Sequence, residues 1–156
     1  MLRPVDIHDV RFLRDMLRHA YYWRMSESAD LPVARYVLNW GRPGDDGLVA
    51  LDDANAVGAA WYRLFSREEA GFGFVDEQTP ELTIAVVPSR RGKGFGHELM
   101  TGLLERAARA GYDALSLSVA KTSPAVSLYE RYGFRTVGES DDALTMVAKL
   151  GSPDGL

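Results

Sequence analysis

Residues 81–120 carry the pattern that most restricts the fold. An apolar run, "ELTIAVVP", leads into a glycine-rich cationic turn, then an apolar-striped helix, then a second strand, "ALSLSVA". A strand that returns to its sheet through a helix runs parallel to the first, by a right-handed crossover. Pro88 stops the first strand, since it offers no N–H to a ladder. The helix "HELMTGLLERAARAG" sets Leu99, Met100, Leu103, Leu104, Ala107 and Ala108 on one face and closes at Gly111. "ALSLSVA" alternates, which puts Leu115, Leu117 and Val119 on one side and the serines on the other.

Hairpin patterns flank this unit. "GLVALDD" and "AVGAAWYRLF" read as strands around the turn-prone "DDAN", and "FRTVG" with "ALTMVAKL" closes the chain as a terminal hairpin. Upstream, "DIHDVRFLRDMLRHAYYW" reads as a helix capped by Asp6, with Ile7, Val10, Leu13 and Leu17 at helical spacing. "SESAD" is a loop, and "LPVARYVLNWG" is a shorter helix with Pro32 in its first turn and Gly41 as its stop. "SPAVSLYERYG" is a helix that Ser123 caps, with Pro124 at its first position and Gly133 at its end. "SREEAGFGFVDEQTP" is a loop long enough to be functional. The fold class is therefore α/β, a central mixed sheet with helices on both faces. Residues 1–150 are expected to form a single domain and residues 151–156 a tail.

Composition narrows the function. The chain has 156 residues, a formal net charge of −4 and no cysteine. An acidic balance argues against a nucleic-acid surface. Without cysteine there are no disulfides, thiolate metal sites or cysteine acyl-enzymes. His8, His19 and His97 have no ligand spacing, so no metal is expected. No apolar run reaches the ~18 residues of a membrane span, and the N-terminus lacks a signal-peptide core. These features point to a cytoplasmic protein.

The turn "SRRGKGFGHEL" precedes a helix N-terminus, whose N–H groups and partial positive charge attract an anion. Glycines at 92, 94 and 96 admit a phosphate close to the backbone and allow φ > 0. Arg90, Arg91 and Lys93 add full charges. A diphosphate fits all of this. The Walker pattern fails because Lys93 is followed by Gly94, and the dinucleotide pattern fails because His97 stands three residues after Gly94.

With these residues in view, the chain resembles the GCN5-related N-acetyltransferase (GNAT) family. "RGKGFG", Arg91 to Gly96, matches that family's R/Q-x-x-G-x-G/A acetyl-coenzyme A loop, and "SPAVSLYERYGF" matches its A-x-x-L-Y-E-x-x-G-F segment. The strong match covers residues 81–137. The resemblance implies acetyl-coenzyme A as acyl donor, with the main chain of Ile84, Ala85 and Val86 pairing with its pantetheine arm as an added strand would. It implies that the Val86 N–H faces the thioester carbonyl. It also implies that the amides of Gly92, Lys93, Gly94, Phe95, Gly96 and His97, with the Arg91 and Lys93 side chains, hold the pyrophosphate. Tyr129 corresponds to the family's proton donor to the departing thiolate, or else packs with Val126 and Tyr132. Thr122 stands where many relatives have asparagine; its hydroxyl still offers one donor.

For the general base, Glu81 lies where relatives often hold a base that works through water; the alternative is a solvent-facing glutamate at a strand end. Glu27, Asp76 and Glu77 are reserves. Leu117 occupies the position of the base used by members that acetylate ribosomal-protein N-termini, which disfavours that subfamily. "YYWRMSES" and "WGRPGDDG" belong to regions that usually form the acceptor pocket, with Tyr21, Tyr22 and Trp23 either lining it or packing in the core. The implied function is transfer of acetyl to a primary amine of a small molecule or peptide, with no nucleic-acid or membrane partner, and the resemblance allows a homodimer. The alternative is a non-catalytic acyl-coenzyme A-binding or sensory module on the same fold. A toxin-type enzyme acting on aminoacyl-tRNA is disfavoured by the acidic balance.

Overall fold

The computed structural model describes residues 1–25 and 34–151. In chain order the elements are β1 (Leu2–Pro4), a 3-10 turn (Ile7–Asp9), α1 (Val10–Met25), β2 (Asp46–Asp52), β3 (Asn55–Arg63) and β4 (Glu81–Val86). A second 3-10 turn (Pro88–Arg90) follows, then α2 (Phe95–Arg109), β5 (Ala114–Ala120), α3 (Ala125–Arg131), β6 (Phe134–Glu139) and β7 (Ala143–Lys149). Among the described residues, seven strands form one mixed sheet in the order β1-β2-β3-β4-β5-β7-β6. None of the described helices is long and apolar enough to cross a membrane. The chain divides into two compact units, Met1–Arg63 with Thr83–Glu105, and Leu64–Leu82 with Arg106–Leu156.

In the first unit β2 and β3 form an antiparallel hairpin that closes at the pair Asp52↔Asn55. Asp53 takes the left-handed φ of 58° that so tight a turn requires. Val49, Ala50, Ala59, Ala60 and Trp61 are all buried, which explains why β3 reads as a nearly continuous apolar run. β1 departs from the sequence reading, which had no strand there. Three residues ending in proline give no strand signal of their own; the register Leu2↔Ala50 to Pro4↔Leu48 holds them at the edge of β2.

Asp6 caps the first helical turn as expected. Its carboxylate accepts from His8 N at 2.7 Å, and its own N–H donates to Asp9 Oδ2 at 2.9 Å. Arg3 reaches back from β1 to grip Asp9 through two bonds of 2.7 and 2.8 Å. On α1 the stripe Leu13, Met16, Leu17 and Tyr21 is buried. Ile7 is exposed instead, because it sits in the 3-10 turn before the helix proper. α2 packs very close to β2: a Cβ on Gly102 would come within 2.8 Å of Leu48 Cδ1.

In the second unit β7 lies between β5 and β6, antiparallel to both, with Ala114↔Lys149 and Phe134↔Ala148 in register. β4 enters parallel to β5 at Glu81↔Ser116. The C-terminal end of α2 closes as expected: Gly111, at φ +94°, donates to Ala108 O, and Tyr112 donates to Ala107 O. Ser123 stands just before Pro124, the N-cap of α3, its Oγ accepting from Ala125 N at 3.1 Å, and Gly133 ends that helix at φ +97°. The long loop after β3 is pinned at Gly73, where a Cβ would lie 2.6 Å from the carbonyl carbon of Leu117. The serine side of β5 is not open to solvent: Ser116 is 0% exposed. The alternation is real, but both sides of this strand are covered.

Candidate active site

The glycine loop has the geometry an anion cradle requires. Gly92 and Gly94 adopt φ of +79° and +92°, and a Cβ on either would meet nothing within 4 Å. Backbone conformation, not crowding, is what demands glycine there. The first turn of α2 closes with Glu98 N donating to Gly94 O at 3.1 Å. The amides of Phe95 and Gly96 precede that bond, so no helix carbonyl is available to them. Lys93 is exposed on the same loop, and His97 is exposed in the first turn of α2. Arg91 is exposed too, and its Nε donates to Val86 O at 3.0 Å, tying the loop to the end of β4.

Arg90 takes a different role from the one its position suggested. Its Nε pairs with Asp52 Oδ2 at 2.7 Å, so this cation braces the β2–β3 turn. A partner 38 positions away is invisible to a local motif.

Along β4, Ile84, Ala85 and Val86 are only half-buried despite being apolar. Val87 N donates to Val57 O on β3 at 2.8 Å. Alternation along a strand therefore turns the N–H of Val86 to the edge away from β3. Ala85 O instead lies beside Gly58, where a Cβ would approach it to 3.0 Å. Gly58 was not singled out in the sequence, yet it lets β3, β4 and Leu99 of α2 close together.

In the second unit Tyr129 is half-buried on α3, its ring edge-on to Phe134 with centroids 6.0 Å apart. None of the described residues hydrogen-bonds its hydroxyl. Burial pushes the phenol up to about 12, so it is a protonated donor throughout the neutral range. Thr122 is exposed in the turn between β5 and α3. Glu81 is 1% exposed, which removes the reading of a solvent-facing strand-end residue.

Two of the reserve bases accept backbone hydrogen bonds within their loop, Asp76 from Gln78 N and Glu77 from Arg67 N, both at 2.9 Å. Glu27 and the side chains of Tyr22 and Trp23 lie outside the described residues, as do Pro32 and the "SESAD" loop. Tyr21 is a core residue, 2% exposed and 5.1 Å from the Tyr36 ring.

The acidic cluster "GRPGDDG" holds an unforeseen feature of the first unit. Asp45 forms a two-pronged ion pair with Arg63, at side-chain exposures of 2% and 1%. Arg63 Nη1 also donates to Arg35 O and Leu38 O, and Trp61 Nε1 donates to Tyr36 O. Carbonyls at the end of a short helical turn are thus capped by side chains of β3. Among the described residues no three histidine or carboxylate side chains gather to hold a metal ion.

The sequence matches the model of the acetyltransferase (GNAT) family over residues 10–134. The chain belongs to that family. Its GNAT relatives include a mycothiol acetyltransferase of Brachybacterium faecium, 37% identical over 95 residues, covering 60% of this chain and 27% of that protein. The chain thus spans well under half the length of this curated relative. The fold matches a ribosomal-protein-alanine N-acetyltransferase from Brucella melitensis, with a TM-score of 0.71, 23% identity, and coverage of 96% of this chain and 99% of that one. It also matches a GNAT superfamily phosphinothricin acetyltransferase from Sinorhizobium meliloti in complex with acetyl-coenzyme A. There the TM-score is 0.68 at 22% identity, covering 99% and 90% of the two chains.

Proposed function

We propose that this GNAT protein transfers acetyl from acetyl-coenzyme A to a primary amine of a small molecule or peptide. The observation that carries the proposal is the Arg91–Gly96 loop, with two glycines in left-handed conformation and open space where their side chains would be, just before the first amides of α2. That arrangement suits a pyrophosphate. The acetyltransferase name of the 37% relative and the acetyl-coenzyme A complex of the phosphinothricin enzyme support the same reading.

Acetyl-coenzyme A, when bound, supplies an acetyl thioester. The amides of Gly92 to His97, with Arg91 and Lys93, hold the diphosphate, and the half-buried segment Ile84–Val86 lies along the arm. The N–H of Val86, turned away from β3, donates to the negative charge that develops on the acyl oxygen. Glu81 takes the proton that an ammonium must lose before its nitrogen attacks. Tyr129 returns a proton to the thiolate. Thr122 contributes a hydroxyl donor to the arm. With no cysteine in the chain, acetyl passes directly to the amine rather than through a cysteine thioester.

Thermal denaturation tests the donor. At about 100 times its dissociation constant, acetyl-coenzyme A stabilises the protein by about 2.7 kcal/mol, a rise of roughly 5–10 °C for a domain this size. NADH and ATP give no such rise. Stabilisation by NADH with none by coenzyme A would overturn the reading.

A further inference from the structure

The serine hydroxyls of β5 are buried, yet among the described residues they find nothing to bond. Ser116 is 0% exposed, and the Oγ atoms of Ser116 and Ser118 are both buried with no hydrogen-bond partner. Alanine would fit a pleated strand beside Leu115, Leu117 and Val119 without that desolvation, so two such serines need an explanation. Ser116 stands opposite Glu81 in the parallel register, and directly paired residues of neighbouring strands share a face. Ser118, two residues on, lies on that face as well. Its β7 partner is Thr145, a further hydroxyl, and the β7 partner of Ser116 is Val147, so β7 brings no charge to the row.

We propose that Ser116 and Ser118 are positioning residues of a proton relay that serves Glu81. This inference rests on the reading of Glu81 as the general base. A carboxylate buried to 1% exposure cannot collect a proton from an ammonium group it does not touch. A hydroxyl both donates and accepts, so it can receive one proton while passing on its own. Alternate residues of a strand are about 6.6 Å apart. One water with two hydrogen bonds of about 2.8 Å each covers most of that gap, and rotation of the hydroxyls closes the rest.

The balance is simple. The ammonium N–H bond breaks and its electron pair stays on nitrogen. Each oxygen of the row gains one proton and gives one up, and the last O–H bond forms on the Glu81 carboxylate. One cation and one anion become two neutral groups, and no oxidant or reductant takes part.

The test compares wild type, Ser116→Ala, Ser118→Ala, Ser116→Thr and Glu81→Gln across pH, with tyramine and n-hexylamine as acceptors. The relay predicts that each alanine variant lowers kcat/KM by about 10- to 100-fold near neutrality. The deficit closes as pH approaches the amine's pKa of about 10, where the acceptor needs no base. Ser116→Thr restores the rate, and adding Ser116→Ala to Glu81→Gln causes no further loss. An equal drop at every pH marks structural damage and overturns the relay. So does a wild-type profile in both alanine variants while Glu81→Gln is impaired, which would leave the base standing. A flat response to Glu81→Gln overturns the base and the relay together. If neither amine turns over, the infrared antisymmetric stretch of the Glu81 carboxylate, isolated as wild type minus Glu81→Gln, decides. It moves in Ser116→Ala and returns in Ser116→Thr if the relay exists, and an unmoved band overturns it.

Discussion

Arg63 meets Asp45 through two parallel bonds, Nε to Oδ1 at 2.9 Å and Nη2 to Oδ2 at 2.8 Å, with both side chains almost completely buried. Asp45 also accepts from Gly41 N and Arg42 N, so its carboxylate is fully committed to holding residues 35–45 against the end of β3. It is not an acid waiting for a cationic acceptor. Removing it leaves a buried guanidinium without its counter-charge, and Asp45→Ala is expected to cost about 3–5 kcal/mol in urea denaturation. A loss below about 1 kcal/mol would mean that water replaces the carboxylate freely.

Gly94 tests the anion cradle without touching the core. At φ +92° a β-branched residue is strained, and its side chain projects into open space where a phosphate would approach. Gly94→Val is expected to weaken acetyl-coenzyme A binding by roughly tenfold or more, reflecting the 1–2 kcal/mol conformational cost alone, while the circular dichroism spectrum is retained. Unchanged affinity in titration calorimetry would remove the loop from the site.

Tyr129 predicts two separable effects. Its folded-state pKa of about 12 lies above the ordinary phenol value near 10, because burial disfavours the phenolate. The folded protein therefore holds a proton that the unfolded chain releases, and stability falls as pH rises from about 10 to 12. Tyr129→Phe flattens that decline in part. Tyr132, also raised by burial, keeps the remainder. In turnover the same variant lowers kcat by about 10²–10⁴-fold with little change in KM for acetyl-coenzyme A. Wild-type turnover would make Tyr129 a packing residue.

Asp9 contributes to the acid limb of stability. The two bonds from Arg3 hold its carboxyl below the ordinary carboxylate range. A depressed carboxyl contributes stability above its unfolded pKa of about 4 and loses it as pH falls through the lower folded value. Asp9→Asn is expected to unfold with a shallower dependence on pH between about 5 and 2. Parallel acid-unfolding curves for the two proteins would contradict this.

What was legible in the sequence is what local chemistry decides. The crossover from β4 through α2 to β5 announces itself by apolar period, by Pro88 and by Gly111, and each stands where those signals put it. Asp6, Ser123 and Gly133 bound their helices for the same reason: cap and stop act within three residues. The glycine loop is equally local, since left-handed backbone at Gly92 and Gly94 is written into those residues. Longer-range relations were not legible. β1 exists only through its register with β2, and Arg90 finds Asp52 across 38 positions. The sequence left Glu81 open between a base and a solvent-facing residue and set Ser116 on the polar side of an alternating strand; only tertiary packing buries them.

Turnover tests the central claim most directly. The protein is incubated with acetyl-coenzyme A and a panel of primary amines, and free thiol and acetylated amine are followed together. The account predicts one thiol released per acetyl group found on an amine nitrogen, at a rate that depends on which amine is present. Thiol release that stays at the uncatalysed background with every amine, from a protein that nonetheless binds acetyl-coenzyme A, would contradict it.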